Sequence, residues 1–142
     1  MLRILFLCTG NSCRSQMAEG WARQLKGQQI QAYSAGTELR PLDPDAVRVM
    51  AEAGVDISAQ QPKHVDDLRG IDFDYVVTLC GHAQEHCPLF PGKTKVVHVG
   101  FDDPPRLAAT ATSLEERLAP YRRVRDEIRA FVEQLPANLL TD

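Results

Sequence analysis

Residues 2–15 read LRILFLCTGNSCRS: an apolar run, then a cysteine, then a short polar loop that ends on Arg14-Ser15. The run Leu2–Leu7 is nearly continuous in large apolar side chains, broken only by Arg3. That pattern predicts a strand covered on both faces, as in parallel sheets, rather than a half-exposed strand of alternating polarity. From Ser15 to Lys26, Ala18, Trp21, Ala22 and Leu25 recur at helical spacing, and Gly27 is placed to end the helix. Ile30–Ala35 reads as a second strand, Tyr75–Cys80 as a third and Lys95–Val99 as a fourth. Asp43-Pro44-Asp45 offers a capping carboxylate and a first-turn proline, so it starts a helix that ends near Gly54. The last helix carries Val124, Ile128, Phe131, Val132 and Leu135 on one face, and Pro120 is expected to kink or divide its N-terminal part. Strands alternating with helices predict an open, mostly parallel α/β sheet with helices on both faces. Ligands of such sheets bind beyond the carboxyl ends of the strands, where this chain has Cys8, Cys80 and Asp102-Asp103.

The 142 residues, 44% apolar and 25% charged, suit one domain spanning 1–142, with no repeat or linker to divide it. Sixteen basic against nineteen acidic residues give a net charge of −3, which argues against a nucleic-acid partner. No apolar stretch is long enough for a bilayer, and the N-terminus lacks a signal-peptide cleavage site. The expectation is a cytoplasmic monomer, in whose reducing surroundings Cys8, Cys13, Cys80 and Cys87 do not form a structural disulfide framework.

Cys8-Thr9-Gly10-Asn11-Ser12-Cys13-Arg14-Ser15 places a thiol and a guanidinium six residues apart across a loop that contains glycine and asparagine. Gly10 allows backbone angles closed to other residues, and Asn11 tolerates the left-handed region. Such a loop turns its N–H groups inward to make an anion nest, aided by the positive end of the following helix and by the Arg14 fork. The same positive groups are expected to lower the Cys8 pKa and leave a thiolate near neutral pH. The Cys13 side chain reads as loop packing.

The stretch CTGNSCRSQMAEG at the end of the first strand resembles the low-molecular-weight tyrosine phosphatases and the arsenate reductases that share their fold. The resemblance runs from Ile4 to the last helix and implies a four-stranded parallel sheet in order 2-1-3-4. It also implies that Thr9, Gly10, Asn11, Ser12, Cys13, Arg14 and Ser15 cradle an oxyanion, and that Asp103, before Pro104, is the general acid. Phosphatases of this group usually follow that Asp-Pro with aromatic residues; here Pro105 and Arg106 follow.

Cys80 and Cys87 match the triple-cysteine arrangement of the thioredoxin-coupled arsenate reductases. The resemblance therefore implies that Cys8 attacks arsenate, Cys80 attacks the Cys8 sulfur, and Cys87 then takes Cys80 into a disulfide. Asp103 would also help to deprotonate Cys80. Neighbouring strands lie about 4.8 Å apart, so Cys8 and Cys80 at two strand ends come within disulfide reach. A helix over 80–87 would hold Cys80 and Cys87 about 10.5 Å apart, so that segment is expected to be a loop or to unwind when the two join. No cofactor is expected to be bound; electrons come from reduced thioredoxin.

Other readings of these residues are a tyrosine phosphatase, and a phosphocysteine carrier or oxyanion-binding module. Zinc on Cys80, His82, His86 and Cys87 is disfavoured, because four ligands within eight residues are cramped. Some reductases of the group hold potassium through Asn, Glu, Ser and Asp. Asn11, Glu19 and Ser34 match three of those positions, but Lys63 stands at the fourth, so little potassium dependence is expected.

Overall fold

The computed structural model describes residues 1–85, 87, 90 and 93–140, without the side chains of His82 and Gln84. The strands are β1 Leu2–Cys8, β2 Ile30–Gly36, β3 Tyr75–Thr78 and β4 Lys95–His98, and the helices are α1 Arg14–Lys26, α2 Pro44–Glu52, α3 Gly81–Glu85, α4 Pro104–Leu107 and α5 Leu114–Glu133. The four strands form a parallel sheet in order β2-β1-β3-β4. The expected architecture is thus present, with β1 central and covered on both faces.

Alternation along β1 divides the interior in two. Ile4 and Phe6 point to one face, where Met17, Ala18 and Trp21 of α1, Val49 and Met50 of α2, and Leu118, Val124 and Ile128 of α5 pack on them. Leu5 and Leu7 point to the other, under Val65, Phe73, Ala83 and the half-buried Cys87 and Phe90. Among the described residues no helix is long and apolar enough to cross a membrane.

Local signals explain most element ends. The Asp43 carboxylate caps α2 by accepting from the Asp45 N–H at 2.9 Å, and Ser113 caps α5 by accepting from Glu116 N–H at 3.1 Å. Pro120 does not divide α5, which runs unbroken for 20 residues. The proline removes one backbone donor, while burial of Leu118, Tyr121, Val124, Ile128 and Val132 holds both halves against α1 and α2. β3 ends at Thr78, yet Leu79 N–H still bonds to Leu7 C=O at 2.9 Å, so Cys80 is the first residue to leave the sheet.

Candidate active site

The loop after β1 owes its shape to where its carbonyls point. Thr9 C=O accepts from the N–H groups of Thr37 and Glu38 (2.9 and 2.8 Å), Gly10 C=O from Arg40 N–H (3.0 Å), and Ser12 C=O from Asp43 N–H (3.0 Å). Asn11 C=O accepts from the Gln16 side chain at 2.9 Å, and Cys13 C=O from Met17 N–H at 2.9 Å. A planar trans peptide sets each N–H opposite the preceding carbonyl. Five outward carbonyls therefore turn the N–H groups of residues 10–14 inward, toward the N-terminus of the 13-residue helix α1.

Asn11 takes the left-handed conformation, at φ 50°. Gly10 does not, contrary to the expectation that the glycine is there for backbone freedom; it is there for space. A Cβ on Gly10 would come within 3.2–3.3 Å of three carbons of Arg40. A tighter approach lies at Gly36, where a Cβ would meet Thr9 O at 2.6 Å and Asn11 N at 2.7 Å. Gly36 and the segment 37–43 shape the loop but carry no signal in the loop sequence itself.

Beneath the loop, Asn11 donates to the Ser15 hydroxyl (2.9 Å) and accepts from Lys63 N–H (2.8 Å) and Gln16 (3.1 Å), and Gln60 donates to Gln16 at 2.7 Å. Asn11 and Ser15 are fully buried, so their side chains brace the loop from behind. Tyr121, three per cent exposed, donates to Asp43 Oδ2 at 2.7 Å. Burial, then the Asp43 carboxylate, push the phenol's pKa up, so it remains a donor.

The cavity above the loop, about 180 Å³, is lined by Cys8, Thr9, Gly10, Ser12, Cys13 and Arg14, with Arg40, Asp103 and Pro105 at its sides. Among the described residues no aromatic side chain lines it. Arg14 donates to Phe101 C=O at 3.0 Å and lies 3.5 Å from Asp103. Its Nε is buried with no protein partner among the described residues, a donor left for a ligand. Asp103 thus faces the cavity, whereas Asp102 turns away to Arg123 at 2.9 Å.

Leu7 pairs with Thr78 in the sheet, which brings Cys8 beside the chain just before Cys80. Cys8 and Cys80 pack in one buried cluster, and each thiol is the largest influence on the ionisation of the other. Thr9 Oγ1 lies 3.1 Å and Ala83 N 3.4 Å from the Cys80 sulfur. Cys80 is lowered to about 5, first by the neighbouring Cys8 thiol and then, against its burial, by Thr9, Ala83 N–H and Arg14. Cys8 moves the other way: the bond to Cys80 and burial raise it above its ordinary value, outweighing Arg14 and the Thr9 N–H. This corrects the expectation of a resting Cys8 thiolate. The pair shares one proton, and the better-solvated Cys80 carries the charge.

Cys13 is buried and its thiol is pushed up by that burial, then by Asp43, as suits packing. Burial also raises the Cys87 thiol. Residues 81–85 are helical, and Cys80 and Cys87 lie outside that helix. His86 and the His82 side chain, named for zinc, lie outside the described residues. The potassium donor set is already engaged: Glu19 accepts from Ser34 and Arg23, both at 2.5 Å, and Lys63 Nζ lies 3.8 Å from it. A potassium ion there would face an ammonium and a guanidinium, so these residues do not fit one.

The sequence profile described as low molecular weight phosphotyrosine protein phosphatase matches residues 3–142. An arsenate reductase of Bacillus subtilis (strain 168) is 53% identical over 125 residues, 88% of each chain. One from Shouchella clausii (strain KSM-K16) is 50% identical over 133 residues, 92% of each. An arsenate reductase solved in the phosphate binding state has a TM-score of 0.74 and 33% identity, covering 97% of this chain and 98% of its own. One in the oxidized state has a TM-score of 0.78 and 32% identity, covering 98% and 99%. With its loop, its sheet order and nearly its whole length matched, the chain belongs to the low molecular weight phosphotyrosine protein phosphatase family.

Proposed function

We propose that this protein reduces arsenate to arsenite. The carrying observation is a second thiol, Cys80, packed in the same buried cluster as Cys8, which lines the floor of an oxyanion cavity. Phosphoester hydrolysis uses one cysteine, whereas reduction of arsenic(V) needs two electrons, which two thiols supply by forming a disulfide. Relatives at about half identity are arsenate reductases, and one of the solved reductases binds phosphate, a tetrahedral oxyanion like arsenate.

Arsenate lies in the nest of inward N–H groups, with Arg14 Nε and the fork on its oxygens. Cys8 passes its proton to the neighbouring Cys80 thiolate as its sulfur attacks arsenic. The departing arsenate oxygen takes a proton from Asp103 and leaves as water. Asp103, now a carboxylate, takes the proton back from Cys80. The Cys80 thiolate then attacks Cys8 Sγ; a sulfur–sulfur bond forms, and the electron pair of the broken sulfur–arsenic bond stays on arsenic as arsenite. Cys87, deprotonated, attacks Cys80 and frees Cys8. Joining Cys80 to Cys87 unwinds α3, and a dithiol protein of the thioredoxin type restores both thiols. The setting is a reducing, cytoplasmic one, which keeps such a donor charged.

Arsenate turnover without reductant, followed by alkylation and mass mapping, tests this scheme. A Cys80–Cys87 bridge with Cys8 free is expected. Unchanged thiols together with rapid hydrolysis of an aryl phosphate would show a phosphatase instead.

A further inference from the structure

The cavity contains a second guanidinium that the scheme above does not use. Arg40 follows β2 in the segment that clasps the loop, and its N–H donates to Gly10 C=O at 3.0 Å. Its Cβ, Cγ and Cδ lie across the bare face of Gly10. Backbone and stem are thus both fixed to the cradle, and the residue lines the cavity with Cys8, Thr9, Arg14 and Asp103. Arg23, Arg69, Arg117 and Arg122 each hold a carboxylate, as does Arg14. Arg40 holds none among the described residues, and its head is exposed.

Charge gives this arrangement a purpose. Arg14 is the one other cation among the described residues that line the cavity, and one of its donors is taken by Phe101 C=O. A doubly charged oxyanion entering that cavity needs a further cation. Cys8 is buried and Arg40 exposed, so Arg40 stands at the mouth, on the side where an organic substituent of an ester has to emerge.

We propose that Arg40 is a specificity-determining residue, supplying the second cation for an unsubstituted, doubly charged tetrahedral oxyanion and favouring it over organic monoesters. This rests on the oxyanion reading of the site and adds the class of oxyanion it selects. Gly10 is then a specificity feature too, since its missing Cβ is what admits the Arg40 stem.

The test uses the reduced, full-length protein and the variants R40A, R40K and R48A, with circular dichroism to verify folding. Arg48, exposed on α2, controls for the change in net charge. Calorimetry measures inorganic phosphate and methyl phosphate; steady-state kinetics measures arsenate. R40A is expected to weaken phosphate at least tenfold and methyl phosphate less than threefold, and to raise the arsenate KM at least tenfold with a smaller effect on kcat. R40K should recover part of the loss, and R48A should match the parent in binding. Unchanged phosphate affinity in R40A, or equal losses for phosphate and methyl phosphate, would overturn the proposal. Arg40-dependent phosphate binding in a parent protein that arsenate does not oxidise would leave the proposal standing and remove the reductase scheme.

Discussion

The Thr9 hydroxyl lies 3.1 Å from the sulfur of Cys80, joining the first residue of the anion loop to the second thiol of the pair. With Cys80 ionised, this hydroxyl donates to the thiolate, alongside the Ala83 N–H and the Cys8 thiol.

That geometry predicts the thiolate titration. Ultraviolet thiolate absorbance of the reduced protein should rise by one equivalent near pH 5, where Cys80 ionises, and C80S should abolish the step. Thr9→Val removes one donor and should move the step upward. The Cys8 step should lie above the ordinary thiol range in the parent and fall in C80S, which removes its largest raising cause. The sign for stability follows. A depressed Cys80 pKa stabilises the fold fully above the ordinary thiol value, and that contribution is lost as pH falls through about 5. Chemical denaturation from pH 9 to 5 should therefore show a smaller decline for C80S than for the parent.

Arg14→Lys keeps the charge but removes the fork and the unpaired Nε. Arsenate kcat/KM should fall by about a hundredfold or more, and phosphate should bind weakly, because a point charge does not replace bidentate contact. Steady-state kinetics with phosphate as competitor measures both.

Glycine substitutions separate two kinds of crowding. At Gly36 the obstructing atoms are loop backbone, 2.6–2.9 Å from an added Cβ, so G36A must displace the cradle. Its kcat/KM should fall far more than its stability. At Gly10 the neighbours are side-chain carbons of Arg40 at 3.2–3.3 Å, which can move, so G10A should chiefly weaken phosphate binding.

Tyr121→Phe tests support from α5. Losing the 2.7 Å bond to the Asp43 carboxylate should lower unfolding free energy by about 1–2 kcal/mol. Because Asp43 N–H holds Ser12 C=O, the arsenate KM should rise as well.

The engaged Glu19 predicts the same melting temperature and activity in potassium as in sodium chloride. Lys63→Asp, which restores a carboxylate, should introduce a potassium-specific rise in melting temperature.

The sheet and its order were legible because β1 and β3 are apolar runs ending at cysteines, and burial on both faces leaves a plain pattern. The loop was legible in its own residues, from Cys8 to Arg14. The parts that hold it were not. Gln60, Gly36, Arg40 and Tyr121 are 44, 25, 30 and 78 residues from Gln16, Asn11, Gly10 and Asp43, and ordinary in type, so only tertiary proximity reveals them. Pro120 does not divide α5 because the packing of its buried face against α1 and α2, which no local pattern displays, outweighs one lost backbone donor. The Cys8 thiol is raised rather than lowered because Cys80, 72 residues away in sequence, lies beside it in the fold.

The Thr9–Cys80 contact spans 71 residues of sequence, so the reactive thiolate is a product of folding rather than of composition. A chain emerging from synthesis carries four ordinary thiols, none sensitised toward an oxidant. Only when β3 docks beside β1 does one become acidic. Chemical arming is therefore a tertiary property, absent from any single segment of the chain.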